Sequence, residues 1–169
     1  MKRLSILLLL LGPGCSSPLG GQDLELGAGP SVLPGYGFVV SGAQRMWSSE
    51  TKRLDLELDW THQEIDPTVM ASTGKFDQVR FATRLIFKPD APSRWSGRFG
   101  ATWLRARGDP VFMTQEGDYA GGFFGVGYEW QWTPHITTGP DFTLSYVTPE
   151  KEGTAGFVPQ FAWRFVWRL

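Results

Sequence analysis

Hydrophobic and polar residues alternate along most of the chain, and the alternation is strongest at its C-terminal end. Between Phe157 and Leu169 the odd positions carry aromatic or aliphatic side chains or proline, and the even positions include Gln160, Arg164 and Arg168. A period of two residues is typical of a β-strand whose two faces meet different surroundings. Bulky aromatics on one face and arginines on the other indicate a strand with one face toward lipid and one toward a polar lumen.

The same alternation, interrupted by turn residues, divides the chain into eight predicted strands of roughly ten residues, the length that a tilted strand needs to cross a bilayer. No segment has a helical pattern of any length. In the second strand the alternation fails near Trp47, which predicts a bulge or an early turn. The fold class is therefore all-β, a single eight-stranded antiparallel up-and-down transmembrane barrel. The predicted strands are Asp23–Ser31, Tyr36–Trp47, Arg53–Glu64, Phe76–Lys88, Arg94–Ala106, Tyr119–Trp132, Ile136–Val147 and Phe157–Leu169.

Charged residues occupy the strand face opposite the aromatics. Since an Arg or Lys that faces hydrocarbon at mid-depth costs about 2–4 kcal/mol, we expect these side chains to line the lumen, where buried charges must be paired. In the alternative, a soluble lipocalin-like barrel held by a lipid anchor, they would face water. The predicted lumen network consists of Asp23, Glu25, Asp55, Glu57, Asp59, Arg80, Arg84, Arg98, Glu129, Arg164 and Arg168.

The order of the strands also predicts which charges meet. The acids of the third strand are expected to face the arginines of the fourth, and Glu129 is expected to pair with Arg98. Arg164 and Arg168 on the last strand are expected to pair with the acids of the first strand, Glu25 among them, and so to close the barrel. An eight-stranded lumen has room only for such side chains, so we expect it to be plugged and not to act as a pore.

Composition agrees with a β-protein and argues against several functions. The 169 residues include 8 Trp, 12 Phe, 4 Tyr and 21 Gly, and aromatics and glycines without helical stretches are typical of all-β proteins. The formal net charge is −1, so no basic excess points to nucleic acid. Two separated histidines and one cysteine do not make a metal site, and we expect no cofactor.

The N-terminus has the features of an export signal. Two basic residues precede a short run of leucines, so residues 1–14 are expected to be a signal peptide. Cys15 follows at once in Gly-Pro-Gly-Cys-Ser-Ser, which resembles the bacterial lipoprotein signal with its lipidated cysteine. The alternative is an ordinary signal peptide with an incidental cysteine. Residues 15–22 are then a tether, and residues 23–169 form the barrel.

In its strand pattern the chain resembles the small eight-stranded outer-membrane barrels of the OmpA/OmpX type. The resemblance rests on Gly125–Trp132, which is followed by Thr-Pro-His, and on the aromatic terminal strand. It implies the bacterial outer membrane, short periplasmic turns and longer external loops. The chain departs from these barrels at its end, which is Leu169 where they usually have Phe or Trp.

The resemblance leaves an enzymatic alternative open. Two families that share this barrel, a palmitoyltransferase and a 3-O-deacylase, modify lipid A. The deacylase type carries a His-x-Ser-Asn stretch, whereas this chain has no asparagine. His62 lies near Glu64, Asp66 and Ser72 in the sequence, so it is the candidate for acyl ester chemistry. The simpler interpretation is a histidine at headgroup level.

We therefore favour a structural, anchoring or loop-mediated role over an enzymatic one. The expected partners are outer-membrane lipids, together with an unknown partner at the external loops 108–118 and 65–75. The barrel itself is expected to be a monomer.

Overall fold

Eight antiparallel strands contain nearly all the residues that the structure, a computed structural model, describes, which are residues 24–65, 73–108, 116–150 and 154–169. No helix within these ranges is long and apolar enough to cross a membrane. The strands are β1 (Leu24–Leu33), β2 (Tyr36–Ser48), β3 (Lys52–Ile65), β4 (Gly74–Phe87), β5 (Ser93–Gly108), β6 (Gly117–Thr133), β7 (Ile136–Pro149) and β8 (Gly156–Arg168).

The strands form one closed barrel in chain order. Each pairs with its neighbours in the sequence, and β8 pairs with β1. Closure leaves no strand edge with unpaired backbone groups. The predicted all-β, eight-stranded up-and-down barrel is confirmed, and every strand begins and ends within two residues of its predicted bounds. Of the two alternatives predicted near Trp47, the bulge is present, as a register shift between Arg45 and Trp47, and β2 continues to Ser48.

The seam between β1 and β8 depends on a glycine. A Cβ atom on Gly29 would collide with the backbone carbonyl of Trp163 on β8, so no other residue fits there without moving one of the two strands. Gly97 on β5 is the opposite case, because a Cβ atom there would meet nothing within 4 Å. Closure of the barrel therefore requires glycine at a position that the alternation alone does not single out.

The two ends of the barrel differ in their connections. The near end, defined here as the end that holds Leu24 and Arg168, carries the connections 49–51, 88–92 and 134–135. The far end carries the other four. Three of these are longer, and the first has only the two residues between β1 and β2. The four far-end connections are 34–35, 66–73, 109–116 and 150–155.

Candidate functional site

The lumen holds a balanced set of buried charges. Among the described residues six arginines and six acids are no more than 8% exposed. Because the strands alternate, these side chains occupy the inward positions, and their opposite charges offset one another in a region that has little water. The buried charges are Glu25, Arg53, Asp55, Glu57, Asp59, Arg80, Arg84, Arg94, Arg98, Glu129, Asp141 and Arg164.

Glu25 is the centre of the group of charges at the near end. Its Oε1 lies 2.6 Å from Arg53 Nη2 and 3.3 Å from Arg168 Nε, and its Oε2 accepts a hydrogen bond from Arg84 Nη1 at 2.9 Å. Arg53 also donates two hydrogen bonds, of 2.7 and 2.6 Å, to Asp55. Both the first and the last strand are thereby tied to the charges of β3 and β4.

Glu129 connects Arg84 to one further arginine, Arg94. Arg94 donates to Glu129 Oε2 from Nε at 3.1 Å and from Nη2 at 2.7 Å, and Arg84 donates to Glu129 Oε1. Thr137 donates a third hydrogen bond to Oε2 at 3.1 Å. Since Arg84 bonds to Glu25 on one side and Glu129 on the other, it bridges the barrel across the lumen.

The middle of the lumen contains a second group, around Glu57. Its Oε1 lies 2.8 Å from Arg164 Nη1 and 3.0 Å from Arg98 Nη1, and its Oε2 lies 3.7 Å from Arg84 Nη1. Asp141 forms ion pairs with the first two of these arginines, at 3.2 Å with Arg164. One acid from β3 and one from β7 therefore hold arginines from β5 and β8.

Closer to the far end, at Arg80, the side chains that line the lumen change from charged to neutral polar. It pairs with Asp59 at 2.7 Å and donates to Thr143 Oγ1 at 2.6 Å. It also donates to Gln160, and its guanidinium lies over the ring of Phe123, 5.4 Å from the centroid. Amides and hydroxyls of neighbouring strands then continue the network, such as Gln78 Nε2 with Thr102 and Ser145 at 2.8 Å each.

The far end of the lumen is closed by apolar side chains. This inward cluster was not predicted from the sequence. The alternation along the strands could have indicated it, because each member lies on the same face as the lumen charges of its own strand. Phe76 is 1% exposed and Tyr119 is 0% exposed, so the layer excludes water above the polar network. We call it the apolar layer; it consists of Phe76, Leu104, Ala106, Tyr119, Val147 and Val158.

The structure changes two of the predicted pairings. Arg98 contacts Glu57 and Asp141 and not Glu129, while Arg164 contacts the same two acids and not Glu25. The physical reason is reach, because in a narrow barrel a long arginine side chain crosses the lumen and meets strands that are not its neighbours.

Two other ion pairs connect the strands that were expected to pair. Arg168 does meet Glu25 across β1 and β8, and Arg80 does meet Asp59. Asp23 lies outside the described residues, as does Cys15. The prediction omitted Arg53, Arg94 and Asp141, which the period of two could have supplied, because each shares its strand's inward parity.

The outer wall is apolar and aromatic over most of its height. Phe99 is 61% exposed, Phe124 56% and Val126 51%. Aromatic side chains contact one another near the near end, with Trp95 against Tyr128 at 4.9 Å between ring centroids. Such a surface is the reverse of a soluble barrel, in which charges face water, and is what a surrounding hydrocarbon phase requires.

His62 lies on this outer wall, toward the far end. Its Nδ1 is 2.8 Å from Asp77 Oδ1, and its Nε2 is 3.8 Å from Glu64 Oε1. The ring centroids of Phe38 and Trp60 lie 5.8 and 6.3 Å, respectively, from the centroid of the His62 imidazole. Glu64 is therefore close to His62 because the two residues are neighbours on β3. Asp77 is close to it because β3 pairs with β4.

The remaining members of the proposed catalytic set, Asp66 and Ser72, lie outside the described residues. The same is true of most of the loops proposed as a partner surface, 65–75 and 108–118. The structure therefore describes only one part of the catalytic hypothesis, the contact of His62 with nearby carboxylates.

No family model and no curated protein matches the chain. Solved structures do. A major outer membrane protein from Thermus thermophilus aligns with a TM-score of 0.63 at 12% identity, over 89% of this chain and 100% of that one. The fold is that of the small outer-membrane barrels. The N-terminal barrel domain of Pseudomonas aeruginosa OprF aligns with a TM-score of 0.57 at 13% identity, over 88% of this chain and 100% of that one.

Ail, the attachment invasion locus protein of Yersinia pestis, aligns with a TM-score of 0.54 at 13% identity, over 86% of this chain and 96% of that one. At such identities the likeness shows a shared eight-stranded barrel. It transfers no activity, because sites are grafted on folds independently of the fold itself.

Proposed function

We propose that this protein is a monomeric barrel of the bacterial outer membrane, which serves as a closed anchor and presents its far-end loops to the cell exterior. The observation that carries the proposal is the arrangement of the two faces. Six buried arginines and six buried acids fill the inside of the described barrel, while exposed aromatics cover the outside. A polypeptide can hold this arrangement stably only where hydrocarbon surrounds it.

The same interior argues against transport. The charged groups around Glu25 and Glu57 bridge the lumen, and the apolar layer with Phe76 and Tyr119 closes its far end. An eight-stranded barrel has just enough interior for side chains. Purified protein in planar bilayers is therefore expected to give no steady channel currents, and a reproducible open-channel conductance would refute the closed-lumen role.

Placement in the outer membrane is tested by fractionation. Cells that express the full chain are separated into outer-membrane, inner-membrane and periplasmic fractions, and each is run on detergent gels with and without boiling. We expect the chain in the outer-membrane fraction, with a folded band whose mobility changes on heating. A soluble periplasmic pool without a mobility change would refute the proposal.

Orientation follows from the connections. The three longer connections, which include residues 66–73 and 109–116, lie at the far end, opposite Leu24 and Arg168. Outer-membrane barrels have short periplasmic turns and long external loops. We infer that the far end is external and that its loops are the surface for a partner. Protease added to intact cells should cut in these loops and leave the near-end turns intact, and the reverse pattern would refute the orientation.

The lipid anchor is a further part of the proposal. It is supported by the position of the only cysteine, Cys15, which follows the leucine run after Gly-Pro-Gly. Metabolic labelling with palmitate should mark the wild-type chain and not the Cys15→Ala variant. Equal labelling of both would refute the anchor and leave the barrel unaffected.

A second candidate function is acyl ester chemistry on lipid A, and the contact of His62 with Asp77 favours it. A carboxylate 2.8 Å from Nδ1 orients an imidazole so that Nε2 can act as a general base toward water. Mass spectrometry of lipid A from cells with wild-type protein, with His62→Ala and with no protein tests it. Identical acylation patterns in all three would refute the candidate.

A further inference from the structure

Two exposed basic side chains are neighbours on the outer wall at the far end. Lys75 on β4 and Arg107 on β5 are directly opposite in register, and their side chains are 60% and 65% exposed. Directly opposite residues have Cβ atoms about 4.5–5.5 Å apart, and like charges in such a pair destabilise it. The two cations therefore repel each other, and anions close to them offset that repulsion.

Nearby carboxylates satisfy only part of the hydrogen-bonding capacity of the pair. Lys75 Nζ is 2.5 Å from Glu64 Oε1. Within the described residues, the ion pair of Arg107 is with Asp77, at 4.0 Å, and Asp77 also holds His62. An ammonium has three donors and a guanidinium has five, so both cations retain donors for an anion that approaches from outside the wall.

The position of the pair along the barrel wall indicates which anion it can meet. On β5 the outward positions run from Trp103 through Arg105 to Arg107, and the Arg105 guanidinium lies over the Trp103 ring, 5.1 Å from its centroid. Tryptophans at the outer surface of a barrel mark the membrane–water interface. At about 3.3 Å per residue, Arg107 lies about 13 Å along the strand beyond Trp103, which is the headgroup region.

Arg105 is distinct from this pair. It donates to both carboxylate oxygens of Asp118, at 2.6 and 3.0 Å, and that bidentate contact together with Trp103 fixes it against the wall. The two more exposed cations beside it, Lys75 and Arg107, are the ones placed to contact a headgroup.

We propose that Lys75 and Arg107 together bind a phosphate group of a lipid A-type glycolipid in the outer leaflet. The guanidinium supplies two parallel hydrogen bonds to phosphate oxygens, and the ammonium supplies a mobile point charge. The inference rests on the proposed outer-membrane placement, and it deepens that proposal by naming a lipid partner and the residues that hold it.

The test uses the full chain, folded in detergent and titrated with diphosphorylated lipid A, with native mass spectrometry as the readout of bound lipid. The double variant Lys75→Gln/Arg107→Gln is expected to bind at least about tenfold more weakly, because charge-assisted hydrogen bonds are lost. The matched control Lys52→Gln/Lys88→Gln removes two exposed cations at the near end and should bind like wild type. Retention of wild-type affinity by the first variant, or an equal loss in the control, would overturn the site.

Three further arms identify the ligand and the role of the charges. Lipid A without phosphates should bind wild-type protein as weakly as the diphosphorylated form binds the double variant; equally tight binding would assign recognition to the acyl chains and overturn the proposal. Calorimetry with inorganic phosphate alone should show no saturable binding, and saturation would assign the site to free phosphate. The exchange Lys75→Arg/Arg107→Lys, which keeps both charges, should retain binding, and its loss would contradict a charge-based site.

Each variant is checked for the heat-dependent mobility change before titration. If wild-type protein folds as a barrel but binds lipid A no better than the double variant, the phosphate site is wrong and the barrel proposal stands. If wild-type protein shows no folded barrel band, the outer-membrane placement fails and the phosphate site fails with it.

Discussion

Glu57 is a buried lumen acid whose loss should destabilise the barrel. It contacts three arginines, with Arg164 at 2.8 Å, Arg98 at 3.0 Å and Arg84 at 3.7 Å, and it is 1% exposed. Glu57→Gln keeps the shape of the side chain but removes its charge. The buried set would then hold six arginines and five acids, with the unbalanced charge among the arginines around position 57.

The expected cost follows from that imbalance. Removal of one partner from a buried ion pair destabilises a protein by about 3–5 kcal/mol, because an uncompensated charge remains in a medium of low dielectric constant. At 1.4 kcal/mol for each factor of ten, the folding equilibrium constant should fall by roughly two to three and a half orders of magnitude. Asp141 contacts two of the same arginines, which places the expected cost near the lower end of this range.

The assay is urea unfolding of the barrel in phospholipid vesicles, followed by tryptophan fluorescence and by the folded band on unheated gels. The matched control is Glu64→Gln, the same substitution on the same strand but on the outward face, where Glu64 pairs with exposed Lys75. Its unfolding midpoint should stay close to that of wild type, since exposed ion pairs add little. If Glu57→Gln unfolds at the wild-type midpoint, or if the two variants lose equal stability, the lumen network does not stabilise the fold in the way described.

The same unfolding and gel measurements test three more features. Gly29→Ala should lower the yield of folded barrel because its Cβ would meet the β8 backbone, while Gly97→Ala should leave the yield unchanged; equal yields would contradict the tight seam. Phe124→Arg on the outer wall should cost about 2–4 kcal/mol in vesicles, whereas no loss would mean that this face does not meet lipid. Tyr119→Ala should cost about 3–5 kcal/mol as a buried aromatic truncation, and a cost below about 1 kcal/mol would show that the apolar layer is not packed.

How much could be predicted from the sequence is clearest on β3. Its alternation assigned Asp55, Glu57 and Asp59 to one face and Trp60 to the other, and the structure has them so. A period of two fixes the face of a side chain because successive Cβ atoms point to opposite sides of the pleat. The partners of those side chains could not be read from the same pattern: Arg98 was expected to meet Glu129, but it reaches Glu57 and Asp141.

The candidate sites on the outer wall illustrate the same difference. His62 could be selected from the sequence as one of two histidines, but its contact with Asp77, fifteen residues away, exists only because β3 and β4 pair in one particular register. Lys75 and Arg107 are far apart in the sequence, and no local pattern connects them. Their adjacency depends on the register of β4 against β5.

The sequence by itself determined the number of strands, their bounds to within two residues and the two unlike faces, because these follow from local geometry with a period of two. Only the tertiary structure decided which charges neutralise each other, where the apolar layer closes the lumen and which cations are neighbours outside. These depend on how the strands are staggered around a closed barrel and on how far long side chains reach across it. Both are properties of the whole barrel, since a shift of one strand by two residues would preserve every face and change every partner.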